Sequence, residues 1–248
     1  MGDPAIRLAG VRKSFDSLAV LQGVDLEVAA GETITIIGGS GSGKSVLLRL
    51  IIGLIRPDAG RIWITGEEIT PLPEARLLPI RRKVGMLFQG AALFDSLTVA
   101  ENIAFPLREH TLMGEAEIRA RVEEVLEWVG LPGIEEKEPA ELSGGMKKRV
   151  GLARAIALEP RIILYDEPTT GLDPSNIEKI TELIINLQEK LGGTSVVVTH
   201  DMQSAFKVSD RIAMLHQGRI AVAGTVAEIE HSEERLVRDF IAGQMTAG

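Results

Sequence analysis

A glycine-rich loop between an apolar strand and an apolar helix constrains this chain more than any other feature. Residues 34–53 read ITIIGGSGSGKSVLLRLIIG, and Gly38, Gly43, Lys44 and Ser45 fit the P-loop spacing G-x-x-x-x-G-K-[ST]. Glycines let consecutive backbone N–H groups face one anion, and the start of the following helix presents further N–H groups to it. Lys44 would add a full charge near the β- and γ-phosphates, and the Ser45 hydroxyl could ligate Mg²⁺. The strand–loop–helix context favours a nucleoside triphosphate site over a flexible glycine/serine turn.

Length, charge and cysteine content limit the possible partners. A chain of 248 residues accommodates one large α/β domain or two small ones. Its formal net charge of −8 argues against nucleic-acid binding. Because the chain contains no cysteine, it forms no disulfide and no thiolate metal site, which is compatible with the cytosol.

The sequence predicts no membrane span and no signal peptide. The N-terminus lacks the apolar core of a signal peptide. The longest apolar run, Val46 to Ile55, is interrupted by Arg49 and is too short to cross a bilayer. If the protein works at a membrane, we expect a partner to hold it there.

A second strong signal is an apolar run, Ile162 to Tyr165, that leads directly into Asp166 and Glu167. Such a run is typical of a strand buried on both faces of a parallel sheet. Open α/β sheets bind ligands at the carboxyl ends of their strands. We therefore expect Asp166 to hold Mg²⁺ through water and Glu167 to polarise an attacking water. The alternative is a pair of solvated acids at a strand end.

Four further positions are ambiguous when each is considered alone. Phe15 could stack on an adenine ring or simply pack in the fold. Gln89, at a strand end, could reach a metal ion or water, or belong to a surface turn. Ser143 caps a helix whose first residues, 144–145, are glycines, so this segment is either a phosphate site or an ordinary helix start. His200 follows a buried strand, so it lies either at a ligand-binding strand end, as Asp166 does, or in a solvated loop.

The remaining pattern predicts strands and helices in an α/β order. Residues 5–36 favour strands and turns, whereas residues 93–157 favour helices. The other expected elements are a loop or short helix at 71–79, helices at 115–129, from Ser143 to 158 and after Asp173–Pro174, a hairpin around Gln217–Gly218, and a capped helix at 232–241.

In this order, the motifs closely resemble the nucleotide-binding subunit of ATP-binding cassette (ABC) transporters, and the likeness covers nearly the whole chain. The matches are Phe15 with the A-loop, Gly38 to Ser45 with Walker A, Gln89 with the Q-loop, 142–146 with the signature motif, 162–167 with Walker B and its glutamate, 171–173 with the D-loop, and His200 with the switch histidine.

The resemblance implies a fold and its subdivision. We expect an α/β P-loop NTPase core of the RecA type, with an N-terminal antiparallel β subdomain and an inserted α-helical subdomain. One nucleotide-binding domain would cover residues 1–248. Within it, 1–92 and 158–225 would form the core, 93–157 the helical subdomain, and 226–248 a C-terminal helical tail.

The resemblance also implies a mechanism. Two copies would form a head-to-tail homodimer with ATP between the Walker A loop of one and the signature motif of the other, and the Q-loop would couple hydrolysis to permease subunits. The implied catalytic residues are Glu167, His200, Lys44 and Gln89. The implied nucleotide-binding residues are Phe15, Gly38, Gly39, Ser40, Gly41, Ser42, Gly43, Lys44, Ser45, Val46, Ser143, Gly144 and Gly145, and the implied Mg²⁺ ligands are Ser45, Gln89 and Asp166.

Three departures from the usual motifs point to a subfamily. Met146 replaces the common Gln, Val46 the common Thr, and Gly39 a frequent Pro. Residues 87–94, 106–111 and 142–146 are similar to the ATPase of Mla/Ttg2-type systems, which move phospholipid between bacterial membranes with MCE-domain proteins.

This likeness implies integral-membrane permease subunits, an MCE-domain protein and a small STAS-like subunit as partners, and a location at the cytoplasmic face of the inner membrane. Two alternatives stay open: an ABC ATPase for another cargo, such as an amino acid or a hydrophobic toxicant, and an ABC-type ATPase of a cytosolic assembly such as an iron–sulfur scaffold. A DNA-repair ATPase of related type ranks last, because its usual coiled-coil or zinc insertion does not fit in this chain.

Overall fold

The computed structural model of the chain describes residues 3–243. Its strands are β1 (Ile6–Phe15), β2 (Leu18–Val28), β3 (Thr33–Ile37), β4 (Ala59–Ile64), β5 (Glu67–Glu68), β6 (Val84–Leu87), β7 (Ile162–Asp166), β8 (Thr194–Thr199), β9 (Arg211–His216) and β10 (Arg219–Thr225). Its helices are α1 (Lys44–Ile51), α2 (Glu74–Arg81), α3 (Val99–His110), α4 (Glu115–Trp128), α5 (Gly144–Ile156), α6 (Pro174–Leu191), α7 (Met202–Val208), α8 (Val226–Glu230) and α9 (Arg235–Ile241). The chain divides into two compact units. The first unit consists of the residues up to Arg81 together with those from Gly193 onward, and the second unit is Arg82–Gly192.

An antiparallel sheet forms the N-terminal part of the first unit. Its strand order is β2-β1-β4-β5. Ile6 faces Val28 and Leu8 faces Leu26, and all four side chains are buried on one face. This pairing follows from the two-residue period of strand side chains. The predicted N-terminal antiparallel β subdomain is therefore confirmed.

A mostly parallel set of strands completes the first unit, in the order β10-β9-β3-β8. Strand β3 runs parallel to both β8 and β9, and every residue of β3 and β8 is buried. Burial on both faces explains why these strands are so poor in charge. Strands β9 and β10 form the predicted hairpin, with Gln217 and Gly218 at positive φ in its turn.

Helices α7, α8 and α9 pack on this sheet through one apolar cluster. Its fully buried members are Ile37, Ala205, Ile212, Met214, Ile229 and Val237. The helix predicted at 232–241 is present as α9, which begins after Glu234. Of the predicted tail at 226–248, residues 244–248 lie outside the described residues.

The second unit combines two parallel strands, β6 and β7, with the helices α3 to α6. Helix α4 buries Ile118, Val122, Val125 and Leu126 along one side, as its apolar period predicted. Helix α5 packs against α3, α4 and β6. The predicted helical segment 93–157 lies within this unit, and the full division into subdomains stays a prediction.

Close packing of β6 on α5 leads to a stability prediction for Gly85. A Cβ added to Gly85 would overlap the Ala155 carbonyl oxygen and lie 3.0 Å from Pro160 Cγ. We expect Gly85→Ala to lower the free energy of unfolding by about 1–3 kcal/mol, because a backbone carbonyl in a packed helix yields little. Thermal unfolding followed by circular dichroism measures this loss. Gly90→Ala is the matched control, since no described residue places a heavy atom within 4 Å of its added Cβ; equal melting temperatures for the two variants would contradict the prediction.

Candidate functional site

The P-loop of the first unit has the predicted strand–loop–helix geometry. Strand β3 ends at Ile37, and α1 begins at Lys44 after Gly43, whose φ of 101° lies in the left-handed region. A Cβ at Gly43 would come within 2.8 Å of Leu21 Cδ2, and one at Gly38 would lie 2.9 Å from Ser42 Oγ. Only glycine therefore fits at both ends of the loop.

Lys44 is bound to its own loop. Its side chain is buried, and Nζ donates hydrogen bonds to the carbonyl oxygens of Gly38 at 2.8 Å and Gly39 at 3.1 Å. Within residues 3–243, the Ser42 Oγ atom is buried and has no hydrogen-bond partner. A buried hydroxyl of this kind is usually satisfied by a ligand, ion or water, so the loop fits an anionic ligand.

His200 and Phe15 also belong to the first unit. Ile37 pairs with Thr199 in the register of β3 and β8, so Gly38 and His200 leave neighbouring strands at the same edge of the sheet. His200 is exposed. Phe15 ends β1 with 44% of its surface exposed, and the Lys13 ammonium lies 5.4 Å from the centre of its ring. An exposed ring beside a cation is available for stacking rather than core packing.

The acidic strand end lies in the second unit, where β6 and β7 place Gln89 and Asp166 at one edge. Leu87 of β6 pairs with Tyr165 of β7 in this parallel register. Gln89 follows Leu87 by two residues, and Asp166 directly follows Tyr165. Asp166 and Glu167 are 3% and 8% exposed, so the alternative of two solvated acids is wrong.

Glu167 has an unusual backbone. Its φ is +49°, a left-handed conformation that costs a non-glycine residue about 1–3 kcal/mol. Thr170 Oγ1 donates a hydrogen bond to Glu167 Oε2 at 2.9 Å, which orients the carboxylate. Strain of this kind persists only where the surroundings determine the conformation, and it is frequent at functional sites.

The signature segment begins α5 as predicted. Ser143 is the N-cap, and its Oγ accepts a hydrogen bond from Met146 N at 3.3 Å. Ser143 and Gly144 are exposed, whereas Gly145 is buried against Asn176 of α6. A Cβ added to Gly145 would lie 2.7 Å from the Oδ1 atom of Asn176. The signature segment thus exposes Ser143 and Gly144 and packs Gly145 against α6, the helix that follows the D-loop.

Two cations on α5 were not assigned a role from the sequence. Lys148 is 6% exposed, and its Nζ donates a hydrogen bond to the Glu167 carbonyl oxygen at 2.9 Å. Burial lowers the pKa of Lys148 below its usual range, and the carboxylates of Glu167 and Asp166 oppose that shift. Helical period was the available signal, because Lys148 lies three residues from both Gly145 and Gly151 on the buried side of α5.

The second cation, Arg154, holds the segment after Gln89. Its Nη2 donates hydrogen bonds to the carbonyl oxygens of Ala91 at 3.0 Å and Ala92 at 2.8 Å. Both alanines have positive φ, at 61° and 50°. Helix α5 therefore fixes two strained segments of the second unit, one beside Gln89 and one at Glu167.

Comparison with known proteins decides the family. The ABC transporter family matches residues 21–170. This chain belongs to the ABC transporter family. As an ABC ATPase, it is the subunit of a membrane transporter that couples ATP hydrolysis to transport. The predicted P-loop fold with an antiparallel sheet and a helical subdomain is confirmed.

The relatives differ in the cargo that their names state. The chain is 44% identical over 240 residues to the probable ribonucleotide transport ATP-binding protein Mkl of Mycobacterium leprae, covering 97% of this chain and 69% of that protein. It is 46% identical over 233 residues to the methionine import ATP-binding protein MetN of Caulobacter vibrioides, covering 92% and 69%.

Among solved structures, the ATP-binding cassette MJ0796 in a dimeric post-hydrolysis state bound to ADP and Pi is 37% identical, with a TM-score of 0.83, covering 89% of this chain and 98% of that chain. In this ABC ATPase, no helix within residues 3–243 has the length and apolar character needed to cross a membrane.

Proposed function

We propose that this ABC ATPase drives phospholipid transport as a homodimer bound to integral-membrane permease subunits at the cytoplasmic face of a bacterial inner membrane. The observation that carries the ATP-driven part is the P-loop, with Lys44 folded onto it and the Ser42 hydroxyl buried within it.

Nucleotide binding is proposed for residues Gly38 to Val46 and Phe15. The loop N–H groups and the start of α1 favour phosphate oxygens. Lys44 would exchange its two carbonyl acceptors for phosphate oxygens, which are stronger partners because they are charged. The exposed ring of Phe15 would stack on adenine.

Hydrolysis is proposed to depend on Glu167 and His200. Glu167 would orient and polarise the attacking water, and its carboxylate is already fixed by Thr170. His200, at the sheet edge next to Gly38, would stabilise charge on the γ-phosphate. Ser45, Gln89 and Asp166 are the proposed ligands of Mg²⁺, a cation that prefers oxygen ligands and neutralises phosphate charge when bound.

Head-to-tail dimerisation is supported by the exposure of the signature segment. Ser143 and Gly144 are exposed at the start of a thirteen-residue helix, where N–H groups and the helix dipole favour an anion. We propose that Ser143, Gly144 and Gly145 contact the γ-phosphate bound to the partner copy. The dimeric state of the similar cassette MJ0796 supports this arrangement.

Permease binding is proposed for an aromatic pair of the second unit. Phe94 and Phe105 are each 43% exposed, and their ring centres lie 5.0 Å apart. Exposed aromatic residues that touch each other are typical of protein interfaces. Phe94 follows Gln89 by five residues, and its ring lies 5.5 Å from the Arg154 guanidinium. A permease that contacts Phe94 would therefore be connected to the Q-loop segment that Arg154 holds.

Phospholipid is the proposed cargo because residues 87–94, 106–111 and 142–146 are similar to the ATPase of Mla-type systems. The same similarity supports an MCE-domain protein and a small STAS-like subunit as further partners. A second candidate is import of a small polar solute, which is favoured by the names of the relatives Mkl and MetN.

A membrane pull-down tests the proposal. The tagged chain is extracted from its own cells in mild detergent, and bound proteins and lipids are identified by mass spectrometry. Recovery of a permease with an MCE-domain protein and phospholipid is the expected result, and the double variant Phe94→Ser, Phe105→Ser should lose the permease. Recovery of a permease with a solute-binding protein would replace the cargo, and recovery of non-membrane partners only would overturn the membrane assignment.

A further inference from the structure

The starting observation is a buried ammonium group that donates a hydrogen bond to one particular backbone carbonyl. Lys148 Nζ donates to the carbonyl oxygen of Glu167 at 2.9 Å, and the Lys148 side chain is almost fully buried. The backbone N–H of Thr170 donates to the same oxygen at 3.3 Å. A buried ammonium is retained only where its surroundings compensate for lost hydration, and here the compensation is concentrated at Glu167.

That carbonyl belongs to the one residue of the acidic strand end whose backbone is in the left-handed region. The φ of Glu167 is +49°, whereas Asp166 still belongs to β7. The direction of the Glu167 side chain depends on this backbone turn. A donor on the carbonyl therefore fixes the position of the carboxylate without touching it, and Thr170 fixes the carboxylate itself through Oε2.

We propose that Lys148 is a positioning residue for hydrolysis, which holds Glu167 in its left-handed conformation and ties it to the signature helix. The inference rests on the proposed role of Glu167 in polarising the attacking water. Lys148 follows the N-cap Ser143 by five residues on one continuous helix, an axial distance of about 7.5 Å. A rigid helix of this length would transmit a displacement of the signature segment, on contact with the partner copy's nucleotide, to Glu167.

Arg154, on the same helix, makes hydrogen bonds of the same kind as Lys148. It also donates to carbonyl oxygens of residues at positive φ, Ala91 and Ala92, in the segment after Gln89. Its guanidinium lies 5.5 Å from the centre of the Phe94 ring. Two cationic side chains of α5 thus donate hydrogen bonds to carbonyl oxygens of residues at positive φ. Arg154 does so at Ala91 and Ala92, and Lys148 does so at Glu167.

The test is Lys148→Met in the full chain with its co-purifying permease, because methionine keeps the length and apolar stem of lysine and removes the charge and the donor. We expect kcat to fall about 10- to 100-fold, the usual effect of a misplaced catalytic group. The Kd for ATP, measured by equilibrium binding, should stay within about twofold, since phosphate binding is assigned to the P-loop. Lys148→Arg, which restores charge and donors, should recover part of kcat.

A readout other than activity separates positioning from a general loss of structure. Hydrogen exchange of the Thr170 amide should become several-fold faster in Lys148→Met, because that amide shares the Glu167 carbonyl. Lys147→Met is the matched control: Lys147 is the neighbouring lysine of the same helix and is half-buried. It should change neither kcat nor Thr170 exchange.

Comparison of the variants decides between positioning and the alternatives. Unchanged kcat and Thr170 exchange in Lys148→Met would overturn the inference. A parallel loss of kcat, ATP affinity and melting temperature that Lys148→Arg does not relieve would also overturn it, because it would show a purely structural role. Glu167→Gln, assayed alongside, tests the underlying proposal separately: full turnover in that variant would remove Glu167 from its role, whereas an inactive Glu167→Gln with a normal Lys148→Met would refute only the role of Lys148.

Discussion

Glu167→Gln is expected to reduce ATP turnover about 10²- to 10⁴-fold while leaving ATP affinity within about threefold of the original. A positioned general base contributes this much to a proton transfer, and the amide of glutamine has lost that basicity. Shape and volume are nearly unchanged, so the left-handed turn at Glu167 and its contact with Thr170 should survive. Steady-state phosphate release and equilibrium ATP binding measure the two quantities.

The same variant should accumulate as an ATP-bound dimer, because the proposed sandwich separates only after hydrolysis. Size-exclusion chromatography with ATP, against ADP, measures this directly. Glu189→Gln is the control, since Glu189 is an exposed residue of α6 in the same unit. Turnover near that of the control would show that another group activates the water.

Local patterns were sufficient to predict several elements of this fold. The P-loop requires a strand, glycines at the positions of closest approach and a helix, and all three are contiguous in sequence. Strand β1 shows how far the pattern extends: its buried residues are Ile6, Leu8 and Val11, and the break in alternation coincides with an irregularity in its pairing with β2. Gly10, at φ +59°, lies at that break.

Helix ends were less predictable because contacts with distant residues decide where a helix begins and ends. Residues 71–79 suggested a loop or short helix, yet α2 continues through Pro79 to Arg81. Leu77 and Ile80 are buried, and that burial favours helix on both sides of the proline. Helix α5 ends two residues before the expected position, at Ile156, where Arg121 donates to the carbonyl oxygens of residues 156 and 157. Such contacts involve distant parts of the chain and leave no local signal.

The candidate site residues show the same difference between local sequence patterns, which were recognised, and contacts between distant residues, which were not. Walker A, Walker B and the signature motif were found because each is a compact run of residue types with one chemical purpose. Lys148 and Thr170 were not, since their function follows from where the side chains end, at the carbonyl and carboxylate of Glu167. The left-handed backbone of Glu167 could not be predicted from the sequence either, because the residue at this position is neither glycine nor asparagine.

Lys44→Ala is expected to weaken ATP binding about 10- to 150-fold and to leave hydrolysis close to background. Hydrogen bonds to charged groups contribute about 1.5–3 kcal/mol each, which corresponds to this loss. Lys44 also holds the loop together through the carbonyls of Gly38 and Gly39, so its removal should leave the loop with more conformational freedom to lose when ATP binds. Equilibrium titration with ATP measures the affinity.

The pairing of Lys44→Ala with Glu167→Gln separates the two halves of the proposed reaction. If the P-loop binds the triphosphate and Glu167 acts only on water, the first variant loses affinity and the second loses turnover with affinity intact. Arg49→Ala controls for charge, because Arg49 is an exposed cation of the same helix α1 and should leave ATP affinity unchanged. Equal affinity losses in Lys44→Ala and Arg49→Ala would mean that the general positive charge of α1, rather than an ammonium directed into the loop, attracts the nucleotide.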